Sequence, residues 1–489
     1  MLKTKTTALL LIAASLLASA NQVSAQGKQP DIIPPGYTVE TIPPPKDVTF
    51  GVGGLDVAAD GTVYAGTRYG QVWCYRDGAW SLFAEGLHEI TGLTIDRKSG
   101  RIFAMQKPEL TELIPDGPNG SASTYRSCTD EFGYSGNYHE YAYGPVIDSK
   151  GNFYGALNLG HGKGTTVHGS VMSIAAKGRG TCFKVTPDGT YSTFSWGLRS
   201  PAGIAINPLN DEIFYTDNQG DWNASSSLQH IKKNRFHGHP SSLKYHPDFE
   251  GKNLDKISVA EYAKLRSRPA VWIPHGEIGN SPGNPIFDTT GGKFGPFKGQ
   301  MLLGDQSRST ISRILLDKVG DDYQGAVVMM VNNLQSGALR LAFAPDGALW
   351  VGQTSRGWGS VGGVPFGVQR IVWDGKTVPF EIAGMKLEKD GFTITFTKPV
   401  AAGAKAPETF DVRHWGYLYQ AAYGSPKVAE KAVQATAALI SLDRLSLKLS
   451  VPELTENRVY KITLPSGLTA KGGERMTNRS IYYTLNRRR

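Results

Sequence analysis

Asp346-Gly347-Ala348-Leu349-Trp350-Val351-Gly352 is the stretch that decides the fold. Asp-Gly makes a tight turn, because glycine reaches the positive φ such turns need, and the run behind it is short, apolar and β-prone. The same pattern stands at Asp60-Gly61-Thr62-Val63-Tyr64-Ala65-Gly66, Ser99-Gly100-Arg101-Ile102-Phe103-Ala104, Lys150-Gly151-Asn152-Phe153-Tyr154-Gly155, Asn210-Asp211-Glu212-Ile213-Phe214-Tyr215 and Lys298-Gly299-Gln300-Met301-Leu302-Leu303-Gly304. Several copies have a strand before the turn, as in Gly203-Ile204-Ala205-Ile206, and several a third strand after it, as in Gln71-Val72-Trp73-Cys74-Tyr75. Three or four strands repeated six times predict an all-β chain with a six-bladed β-propeller between about residues 36 and 375. The widest spacing falls where residues 221–296 form a long insertion, with one short helix expected over 258–266.

Composition agrees. Of 489 residues 58 are Gly and 28 Pro, too many helix breakers for a bundle or coiled coil, while 40% hydrophobic content excludes a disordered chain. The net charge of +9 is scattered except for Arg487-Arg488-Arg489, so it gives no basic face for nucleic acid. Lys3 and Lys5, the apolar run 8–20 and the small residues Val23-Ser24-Ala25 read as a signal peptide cleaved near Ala25–Gln26. The expectation is a secreted or periplasmic protein with no transmembrane segment in its mature chain. Cys74, Cys128 and Cys182 include no Cys-x-x-Cys, which excludes a haem attachment; Cys128 with Cys182 is the favoured pair if a disulfide forms.

Beyond Asp374 the pattern changes to alternating strands, Phe392-Thr393-Ile394-Thr395-Phe396-Thr397, Leu445-Ser446-Leu447-Lys448-Leu449 and Tyr460-Lys461-Ile462-Thr463-Leu464. The chain then divides into a signal (1–25), a propeller (26–375) and a C-terminal immunoglobulin- or fibronectin-like β-sandwich (376–489).

Chemistry is expected where propeller loops converge. The candidate stretches are Gly136-Asn137-Tyr138-His139-Glu140-Tyr141, then Gly197-Leu198-Arg199-Ser200-Pro201-Ala202-Gly203 with Asp217-Asn218-Gln219-Gly220-Asp221-Trp222, then Arg235-Phe236-His237-Gly238-His239-Pro240. The last two resemble the soluble quinoprotein glucose dehydrogenase and sorbosone dehydrogenase group, and most of all an exported bacterial branch of that superfamily. The resemblance covers roughly residues 40–372 and is specific at 197–240.

It implies a sugar or polyol dehydrogenase using pyrroloquinoline quinone and calcium. His139 takes the place of the family's base, and neutral imidazole suits removal of a hydroxyl proton. Arg199 matches the arginine that pairs with the cofactor's carboxylates, followed by Ser200 where the family has Asn, and Arg340 resembles a second cofactor-facing arginine. The clamping lysine aligns with Ser307, leaving Arg308 as the nearest cation. Gly220 and Asp221 fall where the family's backbone holds calcium, Asp221 replacing a proline, and Asp217 adds a carboxylate nearby.

On the residues alone Tyr138 and Trp222 suit stacking on sugar rings, and His237 and His239, two apart in an extended segment, suit a metal or a substrate. The implied partners are a small sugar or glycan and a separate electron carrier. Two other readings stay open: a non-redox carbohydrate-binding propeller, and a glycan hydrolase or lyase using Glu140, Asp217 or Glu277 as acid or base.

Overall fold

The structure, a computed structural model, describes residues 31–118, 120–162, 167–173, 176–401 and 409–489. The expected signal segment lies outside the described residues. Six four-stranded antiparallel units form a closed ring. Their innermost strands are Val52–Val57, Ile90–Ile95, Ala142–Ile147, Pro201–Ile206, Pro282–Phe287 and Ala338–Phe343, each touching the next and the last touching the first. The circle is closed by the N-terminal strand Tyr37–Ile42, which becomes the outermost strand of blade 6 by pairing with Phe366–Trp373 from Tyr37↔Trp373 to Ile42↔Val368. The expected six-bladed propeller is therefore observed.

The innermost strands show why glycine recurs there. A Cβ on Gly92 would lie 1.6 Å from the Gly144 carbonyl oxygen, and one on Gly203 would lie 2.1 Å from the Cα of Asn284. These glycines sit at blade-to-blade contacts where no side chain fits, a use distinct from the turn glycines of the sequence pattern.

Residues 221–296 are less of an insertion than expected. They contain the two outer strands of blade 4, Ser226–Ile231 and Val271–Ile273, and the innermost strand of blade 5. Ser226-Ser227-Leu228-Gln229-His230 is too polar to read as a strand, because its hydroxyls are satisfied inside: Ser225 and Ser226 donate to the carbonyls of Ile273 and Asn280. The excursion between these strands carries the expected helix at Val259–Leu265, started by a Ser258–Glu261 capping box.

Past residue 375 the chain forms two facing sheets. One is Ile382–Glu388, Gly391–Phe396, Ser446–Ser450 and Ala437–Ile440; the other is Ser480–Leu485, Arg458–Thr463, Asp411–Gly416 and Val428–Val433. The second sheet is continuous with blade 5, because Ser480–Leu485 pairs with Asp322–Val331 to make eight strands in one sheet. Phe392, Ile394, Leu447, Tyr460 and Tyr483 share a core with Ala326 and Val328 of the blade. No helix of the described residues is long and apolar enough to cross a membrane.

The cysteine expectation is corrected. All three thiols are free, Cys182 is buried between blades 3 and 4, and Cys128 packs in a different cluster between blades 2 and 3. The two thiols lie on strands of different blades and pack into separate clusters, which keeps them apart.

Candidate functional site

Loops that enter the innermost strands and loops that leave the second strands meet at one end of the propeller around a cavity of about 1240 Å³. Glu89, His139, Arg199, Ser200 and Ser281 come from the first kind of loop; Lys107, His161, Asn218, Ser307 and Arg356 come from the second.

His139 is the most pointed feature. It is buried, 5% exposed, in a wall made with Tyr141, Trp358 and His161, whose ring centroids lie 5.5, 5.7 and 6.1 Å away. Its Nδ1 lies 3.1 Å from the Leu159 carbonyl oxygen. A carbonyl only accepts, so the proton belongs on Nδ1, and Nε2 keeps a bare lone pair on a ring that lines the cavity. Burial pushes the ring's pKa down to about 3, with Arg199, His161 and Lys107 adding to the effect. His139 is thus neutral at physiological pH.

Sequence reasoning missed its neighbours. Glu89 receives Arg68 Nε at 2.7 Å and Lys107 Nζ at 2.7 Å, with Arg356 Nε at 3.6 Å. Burial favours the neutral acid, but these three cations outweigh it and hold Glu89 below the usual carboxylate range. Lys107 also donates to the Tyr138 carbonyl at 2.6 Å and lies over the Tyr141 ring. A signal exists in the sequence: Lys107, like Asn218, is a polar residue one position past the second strand of its blade.

The opposite wall is internally paired. Arg199 Nε donates to Asp221 Oδ1 at 2.6 Å. The other carboxylate oxygen takes Met172 N–H at 2.9 Å and stands 3.2 Å from His239 Nε2. His239 Nδ1 accepts from Ser241 N–H, which assigns the ring's proton to Nε2. Burial alone would raise Asp221; the His239 hydrogen bond and Arg199 hold it well below the carboxylate range. Asp217 accepts from the backbone N–H of Arg199 and Ser200 at 2.9 and 2.7 Å, and burial lifts it to about 6. Gly220 has no room for a side chain: a Cβ there would lie 1.9 Å from Arg199 Cζ.

This wall is covered by the C-terminal unit. Gly424 N–H donates to the Gly220 carbonyl at 2.9 Å, Trp222 N–H to the Gln420 carbonyl at 2.9 Å, and Tyr419 Oη to the Gly238 carbonyl at 2.5 Å. Tyr423 pairs with Asp221 through the backbone and places its ring 5.3 Å from Arg199 Cζ. The expected calcium donors therefore do not fit a cation. The Gly220 carbonyl is engaged by Gly424 and Asn223, both Asp221 oxygens are engaged, and Asp217 serves the 199–200 turn. Among the described residues no three His, Cys, Asp or Glu side chains gather to hold a metal.

The other expected residues divide. Tyr138, Ser200 and Arg308 line the cavity together with His139 and Arg199. Arg340 does not. It is buried in the central channel, where its guanidinium donates to the carbonyls of Gly53, Ala202 and Thr91 at 2.6, 2.7 and 2.9 Å, tying blades 1, 4 and 2 to its own. Trp222 is buried behind the wall, packed among Tyr262, Tyr419 and His168. His237 is buried against Tyr215, its two ring nitrogens without hydrogen-bond partners, and it shares no ligand position with His239. None of Glu140, Asp217 and Glu277 lines the cavity; Glu277 is held by Lys461 at 2.8 Å, by Lys427 and by Tyr482.

No family model matches the sequence, and no curated protein matches it either. Solved structures do match in fold. An oxidoreductase from Thermus thermophilus, described as a glucose dehydrogenase, is 18% identical, with a TM-score of 0.50 over 69% of this chain and 100% of its own. A second glucose dehydrogenase is 14% identical, with a TM-score of 0.50 over 69% and 99%. The quinone-bound aldose sugar dehydrogenase of Streptomyces coelicolor is 14% identical, with a TM-score of 0.49 over 69% and 99%. At these identities the likeness to the first two establishes the fold alone: this chain shares their propeller.

Proposed function

We propose that the chain is an exported oxidoreductase of the quinoprotein propeller type that oxidises a hydroxyl of a sugar or polyol, with residues 376–489 as an immunoglobulin- or fibronectin-like sandwich buttressing the site. The observation that carries this reading is His139: a buried, neutral imidazole whose bare nitrogen serves a large cavity with a cationic lining.

Pyrroloquinoline quinone, a polycarboxylate, suits that lining by charge. Lys107, Arg199, Arg308 and Arg356 line the cavity against the single carboxylate Glu89 among the described residues, and Arg308 Nε is buried without a partner. Arg308, Arg356 and Ser200 would hold it. Bound there, the quinone supplies a two-electron acceptor. His139 Nε2 takes the hydroxyl proton as the carbon gives up its hydride, and the Leu159 carbonyl keeps the ring in the tautomer able to do so. Trp358 and Tyr141 pack the ring in place and keep bulk water from its buried face. A separate carrier would then be needed to take the electrons.

The hydrolase reading lacks its chemistry, since paired carboxylates across a scissile bond are needed and the cavity wall has one, already neutralised by Arg68 and Lys107. Dye reduction on a panel of sugars and polyols with added quinone tests the proposal. Turnover that disappears in His139→Ala supports it; turnover unchanged in that variant refutes it.

A further inference from the structure

A buried amide oxygen in the cavity wall is unanswered. Asn218 Nδ2 donates to the Ser200 carbonyl at 2.9 Å and the Asn218 main-chain carbonyl accepts from Asn223 at 2.8 Å, yet its Oδ1 is buried with no donor. A buried amide oxygen left unmet is costly, and calls for a donor from a ligand or a water.

Tyr423 lines the same cavity and is 67% exposed, an aromatic ring left open by a tightly held loop. Gly424 N–H to Gly220, Ser425 N–H to Ala224 at 2.9 Å and Tyr419 Oη to Gly238 fix the loop on the propeller. The ring's rear neighbour is the Arg199 guanidinium. An open aromatic face and an unanswered acceptor in the lining of one cavity match a pyranose, whose C–H face stacks on the ring while a hydroxyl donates to the acceptor. The cavity also exceeds the ~300–1,000 Å³ of ordinary small-molecule sites, which leaves room for more than one sugar unit.

We propose that Asn218 and Tyr423 form a second saccharide subsite, so that the substrate is a chain of at least two sugar units, one at His139 and the next against the C-terminal loop. The inference rests on the reading of the cavity as a sugar-oxidising site. It makes Tyr423 a specificity residue contributed from outside the propeller.

The test uses the full chain and three probes, glucose, maltose and cellobiose, by calorimetric titration of wild type, Tyr423→Ala and Tyr423→Phe. At least one disaccharide is expected to bind more tightly than glucose, to weaken at least fivefold in Tyr423→Ala, and to recover in Tyr423→Phe, with glucose affinity and melting temperature unchanged. Equal effects on glucose and the disaccharides, no effect on either, or no binding of any of the three sugars by wild type would overturn the subsite. Quinone titration of the same samples judges the oxidoreductase reading separately, so the two failures are told apart.

Discussion

On the His139 wall the cavity is met by a nitrogen with nothing to bind, whereas on the Arg199 wall the Arg199, Asp221 and His239 side chains already answer one another. Both walls carry residues that the sequence marks for chemistry, and both are buried. The difference lies in what supports them. Blades 2, 3 and 6 build the first wall and leave one lone pair free; the second is sealed by a loop of the C-terminal unit that engages the Gly220 carbonyl and lies over Arg199. A free polar atom in a closed, preorganised wall is a place for reaction. The Arg199–Asp221–His239 network itself is a place for architecture, however suggestive its residue types.

That contrast is broken most sharply by exchanging the effects. His139→Ala is expected to lower turnover by about 10²–10⁴, the range for a general base, while the melting temperature stays close to wild type. Turnover in the dye assay and thermal melts on one preparation check both halves.

Asp221→Ala should do the reverse. It leaves Arg199 buried and unpaired and removes the partner of His239, so unfolding stability should fall by about 3–5 kcal/mol, measured by urea denaturation. Gly220→Ala presses a methyl group into the same guanidinium and should cost about 1–3 kcal/mol, by the same assay.

pH gives a smaller, graded contrast. His139 and His237 are each held at about 3 by burial, so the unfolded chain binds more protons than the folded one between about pH 3 and 6.5. Their contribution is present at neutrality and lost as pH falls through that window. Asp217, raised to about 6, acts in the opposite sense: its contribution is present at low pH and lost as pH rises through about 6. His237→Phe, which removes one of these histidines, should therefore flatten the fall in stability between pH 7 and pH 4.5. The smallest effect expected is that of calcium. With the donors around Gly220 engaged, adding calcium or a chelator should shift the melting temperature by less than about 1 °C, well below the few degrees that ~1 kcal/mol produces.

The propeller is legible in the sequence because its turns are local. Asp-Gly and its relatives report backbone geometry within four residues, and six of them in register define six blades. Long-range features are not legible in this way. The pairing of Ser480–Leu485 with blade 5 joins segments about 150 residues apart, and nothing in either strand names the other. The site shows the same division. Tyr138, His139, Arg199, Ser200 and Arg308 all line the cavity, and each sits at a loop position that the blade repeat defines.

Arg340 and Trp222 depart from expectation for a physical reason. An arginine that saturates three blade carbonyls and one that clamps an anion are the same letter, and a tryptophan's exposure depends on what folds over it from elsewhere. Asp221 has the same ambiguity, since a carboxylate that would ligate a cation equally well neutralises Arg199.

The proposed function requires this cavity to hold an anionic quinone against His139, with no calcium at the engaged Gly220 and Asp221 donors. Calorimetric titration of the purified protein with pyrroloquinoline quinone, in calcium and in chelator, tests it most directly. Saturable binding of equal affinity in both is expected. Absence of binding in both conditions, or binding only with calcium, would contradict it.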